Sequence, residues 1–292
     1  MWIDDAYTLE LRGLTYWGRH GVWPAERQRG QPFRVDVTLV YEAGELEDTL
    51  ERAVDYGAAE RVVAAVVEGA PVQLLETLAD RIARTLLDAF PALSRVDVAV
   101  HKPQAPLAGI FDDVVARRSV RRVVRAYLGL GANLGDRAAN LRSGVRYLQS
   151  REELRIAAVS PLYETEPQDV LDQPAFLNAV LAVDTIAAPT QLLAICKQAE
   201  AAAGRLPGIR RGPRPLDVDI LLYGQRTLVS PQLVIPHPRL EKRAFALRPL
   251  LDLAPEATLP DGRSLRSLLT AAADQAVRWV AGPEWAAGGD KP

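Results

Sequence analysis

Between residues 7 and 120 the spacing of apolar side chains changes from two to nearly four and back to two. Phe33, Val35, Val37, Leu39 and Tyr41 alternate as in a strand with one buried face, and residues 7–17 do the same. After Asp55, Val62, Val63, Val66 and Val67 mark a helix that Gly69-Ala70-Pro71 stops. Leu74, Leu78, Ile82, Leu86 and Phe90 then recur every fourth residue, which predicts a second amphipathic helix with one apolar stripe. Strand patterns return near 95–101 and 111–120. The order strand, strand, helix, helix, strand, strand reads as one α/β unit.

A second unit follows the basic joint Arg117-Arg118-Ser119-Val120-Arg121-Arg122, which reads as a solvated connector rather than a nucleic-acid patch. It opens with a strand, Val123 to Leu130. The turn Gly131-Ala132-Asn133-Leu134-Gly135-Asp136 leads into a helix carrying Leu141, Val145 and Leu148. Strands are expected near 154–163 and 176–184. A helix over about 190–203 ends at Gly204, a good residue to close it. Cys196, four after Leu192, is expected as a buried small side chain. A last helix starts near Ser264 to Leu269, and no period survives beyond Gly282. The expected organisation is two domains, 1–121 and 122–281, with a flexible tail over 282–292.

Composition narrows the function. With 25% charged residues, 48% hydrophobic residues and a net charge of −2, the chain carries no sign of a nucleic-acid or membrane binder. No apolar run approaches the roughly 20 residues of a membrane span. Met1-Trp2-Ile3-Asp4-Asp5 lacks the character of a signal peptide. One cysteine allows no intrachain disulfide, in keeping with a reducing cytoplasm. The same lone cysteine, with His20, His101 and His237, argues against a Cys/His zinc site and leaves only a three-histidine or histidine–carboxylate set open.

The stretch Gly212-Pro213-Arg214-Pro215-Leu216-Asp217-Val218-Asp219-Ile220-Leu221-Leu222 carries the chemistry. Residues i and i+2 of a strand point to one face, roughly 6.6 Å apart. Asp217 and Asp219 could hold divalent cations between them. Arg205, Arg210, Arg211 and Arg214 lie just upstream. Carboxylates for a hard metal beside arginines suit a magnesium–nucleotide site. The plainer alternative is a solvated strand face with ordinary salt bridges.

The second half, about 124–280, resembles 6-hydroxymethyl-7,8-dihydropterin pyrophosphokinase. The resemblance rests on four motifs in order: Gly131-Ala132-Asn133-Leu134, Asp172-Gln173-Pro174-Ala175-Phe176-Leu177-Asn178-Ala179, Gly212 to Ile220, and Pro236-His237-Pro238-Arg239. It implies a ferredoxin-like α/β fold and transfer of the β,γ-pyrophosphate of ATP to a pterin hydroxymethyl group, leaving AMP. It implies two magnesium ions on Asp217 and Asp219, and charge neutralisation by Arg205 and Arg214. His237 and Arg243 would meet phosphates, and Glu200 matches a residue of the nucleotide site. Asn178 suits a pterin edge, and Phe176 and Phe245 match the aromatics that sandwich the ring. Three departures stand out. Arg211 replaces the usual Trp, Pro215 stands where Thr is common, and Leu206–Arg211 is a residue short in a loop that closes over ATP.

The first half, about 6–120, resembles 7,8-dihydroneopterin aldolase through His20-Gly21-Val22, Glu26, Gly30-Gln31-Pro32-Phe33, Val35-Asp36, Asp55-Tyr56-Gly57, Leu74-Leu75-Glu76-Thr77-Leu78-Ala79 and His101-Lys102-Pro103. The resemblance implies a tunnelling fold, an antiparallel ββααββ sheet-and-helix unit, so the whole chain is α+β. It implies cleavage of dihydroneopterin to 6-hydroxymethyl-7,8-dihydropterin and glycolaldehyde, without metal or Schiff base, because the pterin ring is the electron sink. Lys102 takes the base role through water, Tyr56 returns the proton, Glu76 anchors the pterin, and Glu26 is the other active-site glutamate. His20 and His101 are expected to be structural. Subunits joined through this unit imply a homo-oligomer of four or eight copies, with active sites between neighbours. Two alternatives keep the kinase alone active: the first unit is then an oligomerising scaffold or a pterin epimerase. A further one makes the second unit a non-catalytic nucleotide sensor.

Overall fold

The computed structural model describes residues 6–42, 48–50, 53–168, 172–205 and 212–287. Arg210, Arg211, the rest of the loop 206–211 and the residues 288–292 lie outside the described residues. The chain divides into two compact units, Met1–Arg122 and Val123–Pro292. Among the described residues no helix is long and apolar enough to cross a membrane.

In the first unit β1 (Ala6–Gly18), β2 (Gln31–Glu42), β3 (Leu93–His101) and β4 (Val115–Arg121) form one antiparallel sheet in that spatial order. A short α1 (Pro24–Arg29) joins the first two strands, with Pro24 at its first position, where no N–H is needed. The α2 (Tyr56–Val67) and α3 (Leu75–Ala89) helices lie between β2 and β3 in sequence. The Asp55 carboxylate accepts from the N–H groups of Gly57 and Ala58 at 2.8 and 3.0 Å and so starts α2. Phe33, Val35, Val37 and Leu39 of the sheet meet Leu78, Ile82 and Leu86 of α3 in one core.

The apolar stripe is shorter than its spacing suggested. Leu74 precedes the first turn of α3, where the chain is still extended, and is 53% exposed. The joint also differs from a solvated connector at its last residue. Arg122 donates from Nε to the Leu93 carbonyl at 2.8 Å and from Nη2 to the carbonyls of Phe90, at 3.0 Å, and Leu87. The Leu87 and Phe90 carbonyls lie at the end of α3, where carbonyls lack helical partners, so the guanidinium closes the helix and ties it to the start of β3.

The second unit runs β5 (Val124–Ala132), α4 (Arg137–Gln149), β6 (Leu154–Val159), β7 (Leu162–Thr165), β8 (Phe176–Thr185), α5 (Pro189–Ala202) and β9 (Asp217–Tyr223). The small β10 (Leu228–Val229) and β11 (Val234–Ile235) hairpin, α6 (Ala244–Leu253), α7 (Leu265–Ala271) and β12 (Arg278–Ala281) complete it. The sheet order is β12-β7-β8-β5-β9, with β6 also on β8, and every pair is antiparallel. The single strand expected near 154–163 is two strands. Ser160-Pro161 breaks it, and Ser160 ties the break to β8 by accepting from Val180 N at 2.8 Å.

The two sheet faces differ. Leu128, Leu130, Leu181 and Ile220 pack with Leu141 and Leu148 of α4 and Leu192 and Cys196 of α5. Burial pushes the Cys196 thiol up to about 12. On the other face α6 covers Val180 and Leu221 with Leu247 and Leu250, leaving the β5 and β9 ends nearer Asp217 for the site. The expected frayed tail is ordered where described. Residues 283–287 form a helical turn, Trp285 is buried in the α4/α5 core, and its indole N–H donates to the Ser160 carbonyl at 2.9 Å. One tryptophan buries enough area to dock a segment that shows no period.

Candidate active sites

In the first unit Lys102 directly follows β3 and is 7% exposed. Its ammonium donates to Glu26 Oε1 at 2.5 Å. The α1 helix sets Glu26 in place, because its other oxygen accepts from Trp23 N at 3.0 Å. Gln31 Nε2 reaches Oε1 at 3.4 Å. Gly21 is required beside it: a Cβ there would stand 2.4 Å from Glu26 Oε2. Burial works against ionising Glu26, but the Lys102 ammonium and the Trp23 N–H outweigh it and hold the carboxyl below its usual range.

Glu26 and Lys102 open on one pocket with Glu76, Leu74, Leu75 and Leu107. Glu76 sits in the first turn of α3, where the helix dipole favours a carboxylate. Leucine walls between two carboxylates and an ammonium suit a flat ring with polar edges. The structure therefore brings Glu26, Glu76 and Lys102 together. It leaves Tyr56 outside this pocket, at the exposed start of α2, 65% accessible.

The two histidines of this unit have other partners. Buried His20 bridges the α2–α3 connection, with Nε2 2.7 Å from the Val67 carbonyl and Nδ1 accepting from Val72 N at 3.1 Å. Burial lowers its pKa. His101 lies between Asp113, 2.5 Å from Nδ1, and Asp36, 3.1 Å from Nε2.

In the second unit Tyr163, Asn178, Gly131 and Asp217 form one row across β7, β8, β5 and β9. Gly129 stands opposite Asp219 in the same way. A Cβ at Gly131 would come within 3.3 Å of Asn178 Oδ1, so glycine leaves space above the sheet between Asn178 and Asp217. Arg205 reaches Asp217 Oδ1 at 2.5 Å and Arg214 reaches Oδ2 at 3.1 Å. His237 Nε2 and Arg243 Nη1 each lie 3.7 Å from Asp219 Oδ2. Burial holds the His237 imidazole below its usual pKa. Arg214 Nε is buried with no hydrogen-bond partner among the described residues, a donor suited to a further anion.

Glu200 is not on a solvated helix face: it is 3% exposed. Its Oε1 accepts from Val218 N at 2.9 Å and meets Lys197 and Arg205 at 2.7 and 2.8 Å. Burial, opposed by Lys197, pushes its pKa up. Glu200 thus braces Arg205 and β9 from behind.

Phe176, Asn178, Arg214, Arg243 and Phe245 line one pocket with the segment Thr165–Gln168. The Arg214 guanidinium lies 5.7 Å from the Phe176 ring centre and that of Arg243 5.2 Å from Phe245. Thr165 and Asn133 were not singled out by sequence reasoning. Thr165 Oγ1 accepts from Asn178 Nδ2 at 2.8 Å and so orients that amide. Buried Asn133 donates from Nδ2 to Gln173 Oε1 and the Pro174 carbonyl at 3.0 and 3.1 Å, and its Oδ1 accepts from Arg214 N at 2.8 Å. The signal was present, since three of the quoted motifs meet at this one side chain.

Among the described residues no three His, Cys, Asp or Glu side chains converge as a metal cage. Two aspartates on one strand face suit magnesium, which keeps waters and takes its remaining ligands from substrate phosphates.

Both halves of the chain match known families. The family described as 7,8-dihydro-6-hydroxymethylpterin-pyrophosphokinase matches residues 127–255. The 2-amino-4-hydroxy-6-hydroxymethyldihydropteridine pyrophosphokinase of Pseudomonas aeruginosa is 44% identical over 149 residues, covering 51% of this chain and 92% of that enzyme. The chain belongs to the pyrophosphokinase family. The dihydroneopterin aldolase family matches residues 9–117 of the same chain. The folic acid synthesis protein fol1 of Pneumocystis carinii is 30% identical over 298 residues, spanning 95% of this chain and 40% of its own length. An aldolase domain therefore precedes a pyrophosphokinase domain, so one chain carries these two activities of folate synthesis.

Proposed function

We propose that the two pockets catalyse consecutive steps on one pterin. In the first, Glu76 accepts hydrogen bonds from the amino and ring N–H edge of dihydroneopterin. Lys102, in its neutral amine form beside Glu26, takes the side-chain hydroxyl proton through water. The adjacent carbon–carbon bond breaks, its electrons enter the pterin ring, and glycolaldehyde leaves. Tyr56 returns a proton to the ring-side carbon. Its exposed position outside the chain's own pocket favours a site completed by a neighbouring copy, in a homo-oligomer of four or eight subunits. No metal or Schiff base takes part in this step.

In the second pocket Phe176 and Phe245 hold the hydroxymethyl-dihydropterin ring and Asn178 reads its edge. The hydroxymethyl oxygen attacks the β-phosphorus of ATP, the bond to the α-phosphate oxygen breaks, AMP leaves, and the hydroxyl proton passes to water. Asp217 and Asp219 would hold two magnesium ions, which would supply positive charge to neutralise the triphosphate. Arg205, Arg214, His237 and Arg243 spread positive charge and donors around the moving group, and Glu200 keeps Arg205 aimed at Asp217. The observation that carries this reading is the row of Asn178, Gly131 and Asp217, which sets a pterin-reading amide and a metal-ligating carboxylate on either side of an open glycine.

The test is one reaction with dihydroneopterin, ATP and magnesium, followed by mass for glycolaldehyde, AMP and pterin pyrophosphate. All three products are expected. Glycolaldehyde alone would mean that Arg211 and the short loop 206–211 disable transfer. If supplied hydroxymethyl-dihydropterin gave AMP while dihydroneopterin gave nothing, the first domain would be a scaffold or an epimerase. Silence with both substrates would remove the enzyme reading.

A further inference from the structure

The residues after 255 lie beyond the stretch matched by the pyrophosphokinase family, yet Gln275 lines a cavity that shares Thr165–Gln168 and Phe245 with the second pocket. The first N–H groups of a helix have no partner within it. In α6, Arg243 makes no side-chain cap, and Gln275 takes that place. Its Oε1 accepts from Ala244 N at 2.9 Å, and its Nε2 donates to the Lys242 carbonyl at 2.9 Å. The second lone pair of Oε1 accepts from Gln168 Nε2 at 2.5 Å. An N–H can only donate and a carbonyl can only accept, so these backbone partners fix which way the Gln275 amide points. The Gln275 backbone is itself held, with its N–H on the Ala272 carbonyl at 3.2 Å.

The two structures joined by this amide form facing walls. Gln168 ends the segment Thr165–Gln168, and Arg243 and Phe245 flank the Ala244 that Gln275 holds; all of them except Ala244 line the pocket with Phe176 and Asn178. We infer that Gln275 is a positioning residue for the pterin, fastening the Phe245 wall to the Thr165–Gln168 wall through one neutral amide. This rests on reading the pocket as the pterin site. Only an amide meets all three partners. Glutamate keeps both acceptor contacts but sets a carboxylate against the Lys242 carbonyl, and leucine loses every bond.

The experiment measures steady-state transfer by the full chain with hydroxymethyl-dihydropterin and ATP varied separately. Gln275→Leu is expected to raise the KM for the pterin about 5- to 10-fold, the equivalent of one net hydrogen bond or slightly more, with the KM for ATP unchanged. Gln168→Leu, which leaves the helix cap in place, should raise the pterin KM alone. The double variant should be no worse than Gln275→Leu, because the shared bond is already lost. An unchanged pterin KM, an equal rise in both KM values, or additive effects would overturn the role. If the wild-type chain showed no saturable pterin dependence, the pocket reading itself would fall. A saturable wild type with unaltered variants removes Gln275 alone.

Discussion

The Lys102 ammonium meets Glu26 Oε1 at 2.5 Å, although 76 residues separate the two in sequence. Neither is free to leave. Both side chains are about nine-tenths buried, at 9% and 10% exposure, so each is the other's nearest compensation. If Lys102 handles the substrate proton, Lys102→Met should cut glycolaldehyde release by about 10²-fold or more. AMP formation from supplied hydroxymethyl-dihydropterin should persist, and the size of the protein on a sizing column should match that of the wild type. Unaltered glycolaldehyde release would take Lys102 out of the chemistry. Glu26→Gln leaves a buried ammonium without its counter-charge and should cost about 3–5 kcal/mol in urea unfolding.

Asp217 and Asp219 divide their basic neighbours: Arg205 and Arg214 serve the first, His237 and Arg243 the second. Asp217→Asn keeps the shape but halves the charge available to magnesium. AMP formation should fall by about 10²-fold or more and need more magnesium, while aldolase turnover stays as it was. Full magnesium-dependent transfer by this variant would return the pair to an ordinary salt-bridged strand face.

The parts of this molecule legible in its sequence are those where one periodicity meets one burial pattern. Phe33 to Leu39 alternate and their inward side chains are buried; Leu78, Ile82 and Leu86 recur at helical spacing and do the same. The α6 helix was missed because Ala244-Phe245-Ala246-Leu247-Arg248-Pro249 is apolar on several sides and contains a proline, so no polar face marks its period. The α1 helix is six residues long, too short to display a period at all. Trp285 docks alone. Residues that the structure gathers around the two candidate sites were legible where motifs carried them, as with Asp217, Asn178 and Lys102. The bracing of Arg205 by Glu200 and the contacts of Asn133 depend on three-dimensional closeness that spacing along the chain does not express.

Asn133 offers a sharp test of that closeness. Its amide joins Gln173 and Pro174, next to Phe176, to the backbone of Arg214. Asn133→Ala leaves the part-buried Arg214 N–H without its partner, with a cost of about 1–3 kcal/mol. Because Phe176 lines the pocket proposed for the pterin and Arg214 is proposed to meet the phosphates, KM should rise for both substrates together. A rise for one substrate only would mean that the clamp positions a single wall.

His20 gives the chain a pH dependence whose sign follows from its burial. Its ring accepts from Val72 N and sits against the Val67 carbonyl, and burial holds its pKa below the ordinary 6.5. The folded first unit therefore binds fewer protons than the unfolded chain. A basic group with a lowered folded pKa contributes stability that is complete above its unfolded value and is lost as pH falls below it. Urea unfolding of the aldolase domain should show this contribution intact at neutral pH and declining as the pH drops through and below 6.5. His20→Gln, which keeps a donor and an acceptor but cannot titrate, should start less stable and lose less on acidification. Parallel pH profiles for wild type and variant would show that His20 takes up protons equally in both states and that its role is confined to bridging Val67 and Val72.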